Sequence, residues 1–195
     1  KIRTILERPK SSINLEDIMN SGKILLLNLS QGRIGEDNAA LLGAMFITKI
    51  QLAAMNRVSM PESQRKDFYL YVDEFQNFAT SSFIKILSEA RKYRLNLMVA
   101  NQYSAQVDEE IQKAIFGNVG TLISFLVGSN DAKLLNQEFG NLYEEADLVT
   151  LDNFEIIVKL SIDNRTSSPF PAKTLPLPKC RNQNREKAIR LSMER

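Results

Sequence analysis

The residues with the clearest chemical potential are two polar pairs, each placed directly after an apolar segment. FYLYV, suited to a buried strand, runs into Asp73 and Glu74, and LNLMVA runs into Asn101 and Gln102. Ligands of open parallel sheets bind beyond the carboxyl ends of the strands. Two polar pairs at neighbouring strand ends therefore predict one site, although an acidic pair alone is also what an ordinary solvated strand end presents.

The predicted site suits phosphoryl transfer. An aspartate at the end of an apolar strand can hold magnesium, as the Walker B aspartate does, and this assigns Asp73. Glu74 can accept a proton from an attacking water, and Gln102 can hydrogen-bond that water or the γ-phosphate. Because the sequence has no histidine, any general base in it must be a carboxylate or, less favourably, a lysine or a tyrosine.

The segment between the two strands carries charged side chains, and these have two interpretations. Glu89, Arg91, Lys92 and Arg94 can form a solvated helix face, which is the commoner outcome for such a run. Alternatively, one arginine reaches the nucleotide of a neighbouring subunit as an arginine finger. The sequence alone leaves both interpretations open.

Composition excludes several function classes. The absence of histidine removes Ser-His and Cys-His nucleophiles and the commonest zinc sites, and the single cysteine, Cys180, excludes an intramolecular disulfide. The formal net charge of +2 gives no global argument for nucleic acid or membrane binding. Continuous apolar runs are too short to cross a bilayer, and no signal peptide is visible. The chain begins at Lys1 rather than Met, which suggests part of a longer protein.

Apolar segments alternate with segments of helical periodicity along the chain. This pattern predicts an α/β fold with a mostly parallel sheet flanked by helices over residues 1–165, followed over residues 166–195 by a Pro-rich, then basic, tail. Strands are predicted at 23–29, 68–72, 95–100, 121–127 and 154–162. Helices are predicted at 37–57 (N-cap Asp37; core positions Leu41, Leu42, Met45, Thr48 and Leu52), from an N-cap at Ser82, at 108–116 and at 131–139.

A phosphate-binding loop of the form G-x-x-x-x-G-K-[ST] does not occur in the sequence. Gly22 and Lys23 resemble its end, but Ile24 follows where Ser or Thr is required. In GRIG, the acidic Glu36 and Asp37 follow and would repel a phosphate. The sequence therefore has no P-loop, and it is either the C-terminal portion of an ATPase or not an ATPase.

Four stretches together resemble the C-terminal half of a RecA-like motor. They are KILLLNLSQGRIGEDNAALLGAMF, YVDEFQNFATSSFIKILSEARKYRLNLMVANQYSAQV, IFGNVGTLISFLVG and PFPAKTLP. The sequence resembles the HerA/FtsK superfamily, and most closely the TraG/TraD-like DNA-binding ATPases, the coupling proteins of type IV secretion and conjugation. The combination of the acidic strand end with SEARKYRLNLMVANQ is the specific part of this resemblance.

The resemblance implies a role for each candidate residue. Asp73 corresponds to the Walker B aspartate that orders Mg²⁺, and Glu74 corresponds to the catalytic glutamate. Arg91 falls where the family carries its arginine finger, with Arg94 as the alternative. Gln102 corresponds to the glutamine that senses the γ-phosphate. ATP and Mg²⁺ are the implied cofactors.

The resemblance also implies a hexameric ring with DNA in its central channel, acting at the cytoplasmic face of the membrane. Partners would be type IV secretion or relaxosome proteins, and membrane contact would come from an N-terminal region or a partner outside this sequence. We expect an ATPase motor as part of a longer protein, with this chain inactive alone because it has no Walker A motif. The alternative is a P-loop-less module that binds DNA or a partner and docks on an active motor. An α/β protein without a nucleotide would leave the placement of Asp73, Glu74, Arg91 and Gln102 unexplained.

Overall fold

The computed structural model describes residues 13–102, 107–163, 165–178 and 184–193, so the single cysteine lies outside the described residues. Helices are α1 Leu15–Ser21, α2 Gln31–Ile34, α3 Glu36–Met55, α4 Ser81–Glu89, α5 Glu109–Asn118, α6 Ser129–Glu138, α7 Glu145–Val149 and α8 Asn184–Met193. Strands are β1 Phe68–Val72, β2 Leu95–Val99, β3 Leu122–Ser124, β4 Glu155–Lys159, β5 Ser161–Ile162, β6 Arg165–Thr166 and β7 Phe170–Lys173. Short 3₁₀ turns occupy Asn56–Ser59, Glu62–Gln64, Phe75–Asn77 and Ala90–Tyr93.

The strands β1 and β2 pair in parallel, from Phe68 opposite Leu95 to Val72 opposite Val99. The α4 helix connects them and buries the Phe83 and Ile86 side chains in the main core. Parallel strands require a crossover connection of this kind, and its presence confirms the predicted β-α-β unit and the predicted carboxyl edge. The helix begins at Ser81 with Thr80 at its N-cap, so the predicted cap at Ser82 is wrong by two residues.

The long helix α3 supplies one wall of the same core. Its inward side chains are Ala39, Leu42, Ile47, Ile50, Ala53 and Ala54. The N-cap is Gly35, in the left-handed φ region at 89°, and the predicted cap at Asp37 is wrong because that residue lies in the first turn. Together with the following turn, Glu36–Ser59 is long and apolar enough to cross a membrane by length and composition, with 39% of that window buried inside the protein. A helix in the core of a globular protein can have the same length and composition. The α3 helix packs in one core with Phe75 and Phe83.

A buried arginine just after α3 joins that helix to the starts of both parallel strands. Arg57 is 2% exposed, and its guanidinium donates four hydrogen bonds of 2.8–3.0 Å. The acceptors are Asn20 Oδ1 and the carbonyl oxygens of Met19, Lys66 and Tyr93. Burial, and then the nearby charge of Arg65, lower the pKa of Arg57 from its usual value. The side chain satisfies four polar groups at once and holds the entry of β2 beside the entry of β1.

The predicted first strand, residues 23–29, is wrong. The segment carries no strand, and Ile24 and Leu26 are 89% and 85% exposed. A strand needs a neighbouring backbone to bond, and this segment lies across a cavity from β1 rather than beside it. Its apolar composition matched a buried strand, but composition carries no information about whether a partner edge is within reach.

The fourth and fifth predicted strands form a separate antiparallel sheet of order β3-β4-β7, so their predicted parallel pairing is wrong. The helices α6 and α7 pack together in the connection from β3 to β4 and return the chain in the opposite direction. The edge strand β7 contains Pro171, which an edge position tolerates because its nitrogen can face away from the ladder. This sheet therefore crosses the division that the sequence predicts after residue 165.

We predict opposite effects on stability for alanine at two helical glycines. A Cβ at Gly43 would lie 2.2 Å from Phe78 Cδ1, so Phe78 must move, and we expect Gly43→Ala to lower the free energy of unfolding by about 1–3 kcal/mol. A Cβ at Gly117 would meet nothing within 4 Å, so Gly117→Ala should raise it by about 0.5–1 kcal/mol. Denaturant unfolding of both variants measures the sign, and equal stabilisation by both would contradict the close packing of α3 on Phe78.

Candidate functional site

The turn that follows β1 is fastened to the end of β2. The amide of Ala100 donates to the Val72 carbonyl, and the amide of Phe75 donates to the Ala100 carbonyl, both at 2.9 Å. The Phe75 ring is fully buried, 4.3 Å from the Phe83 ring between centroids. This anchoring extends the pairing of β1 and β2 beyond the strands and fixes the two strand ends relative to each other.

Glu74 adopts a left-handed backbone conformation within this turn, with φ 49° and ψ 47°. A residue other than glycine is uncommon there and costs on the order of 1–3 kcal/mol, so its surroundings must hold it. The Asp73 carboxylate helps, because its Oδ1 accepts a hydrogen bond of 3.0 Å from the Glu74 amide. The conformation turns the Glu74 side chain toward the end of β2.

The carboxylate of Glu74 accepts two amide hydrogen bonds. Gln102 Nε2 donates to Oε1 and Gln76 Nε2 donates to Oε2, each at 2.6 Å. The structure therefore brings Glu74 and Gln102 together, as the two strand ends predict. Gln76 was not singled out from the sequence.

These residues line a cavity of about 720 Å³. Polar groups on its wall include Asp73, Glu74, Gln76 and Gln102, and apolar groups come from α3 and from Leu27 and Leu29. Consecutive residues of β1, from Leu70 to Val72, also line it. Side chains of consecutive strand residues point to opposite faces, so the cavity runs along the edge of β1 that β2 does not occupy.

The residues of the cavity wall could supply only a few ligands to a magnesium ion. Among the described residues, no group of three or more Asp, Glu, Cys or His side chains is placed to hold a metal ion. Magnesium sites of nucleotide enzymes commonly use one or two carboxylates, with water and substrate phosphates completing the shell. The exposed Asp73 carboxylate is compatible with such a role, and Asn101, next to Gln102, is exposed at the same edge.

Arg91 lies at the other end of the parallel pair. It belongs to the Ala90–Tyr93 turn before β2. The next residue, Arg94, accepts a hydrogen bond through its carbonyl oxygen from the Phe68 amide at the start of β1. Five strand residues at about 3.3 Å each separate this turn from the Glu74 turn, which is roughly 16 Å. The structure does not bring Arg91 to Glu74 within one chain.

The turn that carries Arg91 is held from two sides. Arg57 donates to the Tyr93 carbonyl at 2.8 Å, and Arg65 donates to the Lys92 carbonyl at 2.7 Å. The alternative finger, Arg94, lies 3.7 Å from Asp67 in an ion pair and has a left-handed φ of 58°. The backbone around Arg91 is therefore fixed.

Residues 67–151 match the family model TraG-D_C, described as the TraM recognition site of TraD and TraG. The predicted resemblance is confirmed. This matched segment begins just before β1 and ends after α7, so it contains Asp73, Glu74, Arg91 and Gln102. Among curated proteins, no significant match to the sequence was found.

Solved structures with a similar fold include a genome-packaging NTPase, B204, of Sulfolobus turreted icosahedral virus 2. Its complex with ATP-γ-S superposes with a TM-score of 0.56 at 11% identity, over 86% of this chain and 74% of that one. Its AMPPCP complex gives 0.52 at 11% identity, over 85% and 73%. A bacterial conjugative coupling protein, TrwBΔN70, gives 0.49 at 15% identity, over 64% of this chain and only 36% of that one. At these identities the packaging NTPase shows the fold alone, which is that of a RecA-like ATPase as predicted.

Proposed function

We propose that this chain is the C-terminal portion of an ATP-driven DNA or DNA-protein translocase of a conjugation-type secretion system. The observation that carries the proposal is the 2.6 Å contact between Glu74 and Gln102, on the cavity wall at the carboxyl ends of two parallel strands. The match to the coupling-protein family supports the system, and the viral NTPase with bound ATP analogues supports a nucleotide ligand.

Each residue has a defined part in the proposed hydrolysis. Glu74 accepts the proton of the attacking water, and Gln102 exchanges its bond with Glu74 for one to the γ-phosphate. Asp73 would hold Mg²⁺ through water, and the ion would neutralise charge on the phosphates. Arg91 acts in a second subunit, which its position at the far end of the strands supports. Sites shared between subunits need an oligomer, and a hexameric ring is the proposed form.

The proposed partners follow from the same match. The family description names recognition of TraM by TraD and TraG, and this supports a relaxosome-type protein as a partner of the 67–151 segment. DNA is the proposed cargo, moved through the channel of the ring. The proposed location is the cytoplasmic face of the cell membrane, with an upstream region or a partner as the anchor.

The reading frame upstream of Lys1 tests this proposal directly. We expect it to encode an apolar strand, then G-x-x-x-x-G-K-[ST], then a helix, because the site described here lacks that half. The measurement is the sequence of the upstream coding DNA, followed by ATP hydrolysis by the encoded full-length protein with and without DNA. A start codon immediately before Lys1 would contradict the motor and leave the P-loop-less binding module, docked on a motor from another chain, as the function.

A further inference from the structure

Both carboxylate oxygens of Glu74, the proposed general base, accept hydrogen bonds from side-chain amides. The two donors, Gln76 and Gln102, differ in how tightly their side chains are packed. Gln102 is exposed and lies beyond the end of β2. Gln76 is half-buried in the Phe75–Asn77 turn, between the fully buried Phe75 and the Phe78 ring that packs against Gly43. An exposed side chain can leave its partner at small cost, whereas a packed one cannot.

From this difference we infer that Gln76 is a positioning residue for the base. Gln102 is the partner whose hydrogen bond to Glu74 breaks during the cycle. Gln76 holds Oε2 of Glu74 throughout the cycle. When Gln102 turns to the γ-phosphate, Oε1 is freed toward the attacking water while the carboxylate keeps its orientation. This inference rests on the proposed function, because it assigns Gln76 a role through Glu74.

A second observation argues that Gln76 is kept for something other than stability. Its Oε1 atom is buried and has no hydrogen-bond partner among the described residues. An unpartnered buried acceptor is unfavourable, so an apolar side chain of equal length should be tolerated at least as well by the fold. The Oε1 atom therefore adds nothing to the stability of the fold, and the contribution of the amide is the hydrogen bond that Nε2 donates to Glu74.

The test compares Gln76→Met with a matched control, Gln64→Met, in the full-length protein. Gln64 is exposed in the Glu62–Gln64 turn, well outside the cavity wall. We expect Gln76→Met to lower kcat about tenfold or more, because a loosely held base spends less time in its productive geometry. The KM for ATP, the affinity for AMPPCP and the melting temperature should match wild type, and the control should match wild type in all four measurements.

A double-mutant comparison separates positioning through Glu74 from any other role. Glu74→Asp shortens the carboxylate beyond the reach of the Gln76 amide, so Gln76→Met should change kcat less than twofold in that background. An unchanged kcat for Gln76→Met, a lower melting temperature, or an equal loss in both backgrounds would each overturn the inference. If Glu74→Gln hydrolyses ATP normally, or the full-length wild type does not hydrolyse it, the proposed function fails first and the inference falls with it.

Discussion

Glu74→Gln in the full-length protein should lower kcat for ATP hydrolysis about a thousandfold while leaving ATP affinity within about twofold of wild type. The amide cannot take the proton of the attacking water, so the chemical step loses its base. Its NH₂ group would also face the donor groups of Gln76 or Gln102, where the carboxylate accepts from both at 2.6 Å. Single-turnover hydrolysis and equilibrium binding of ATP measure the two quantities separately.

The matched control is Glu62→Gln, an exposed glutamate outside the cavity wall, which should behave as wild type. Equal losses of binding and turnover in Glu74→Gln would indicate a collapsed cavity rather than a missing base. Normal hydrolysis by Glu74→Gln would remove the general base from the proposed mechanism. The position could then contribute only to the structure of the turn.

The carboxyl edge of the sheet was predictable because it depends on local signals. β1 and β2 are apolar segments of five residues that end in polar pairs, and parallel pairing follows from the helix between them. That pairing places the turn after β1 beside the end of β2, where Glu74 and Gln102 lie. Gln76 escaped prediction because its contact depends on the left-handed φ of Glu74, which the sequence does not announce at a residue other than glycine.

The predictions that proved wrong depend on packing between residues that are far apart in the sequence. Leu41 and Leu52 fit the helical spacing predicted for the core, yet they are 49% and 55% exposed. The buried stripe of α3 instead runs through smaller or neighbouring positions such as Ala39 and Ala54. When most positions of a helix are apolar, the sequence fits several orientations of the buried face about the helix axis. The contact of Phe78 with Gly43 determines which orientation α3 adopts.

Arg91→Ala should abolish hydrolysis in uniform rings and recover it in mixed ones. We expect a loss of about a thousandfold or more in kcat, the range for removal of an arginine finger. Lys92→Ala is the matched control, since it removes a neighbouring exposed cation from the same turn and should leave kcat within a few fold. Arg94→Ala should also be mild because Arg94 pairs with Asp67. A full loss in Arg94→Ala with normal Arg91→Ala would transfer the finger to Arg94.

Mixing two inactive variants distinguishes an arginine acting across subunits from one acting within its own. A subunit with Arg91→Ala retains Glu74, and a subunit with Glu74→Gln retains Arg91. Where they adjoin in the correct order, the intact base of one meets the intact arginine of the other, so a share of sites becomes complete and activity returns. Within one chain the two residues lie at opposite ends of β1 and β2, and the Arg91 turn is tied down by Arg57 and Arg65. An arginine acting in its own subunit would leave every site of the mixture defective, and hydrolysis would stay at the level of the separate variants.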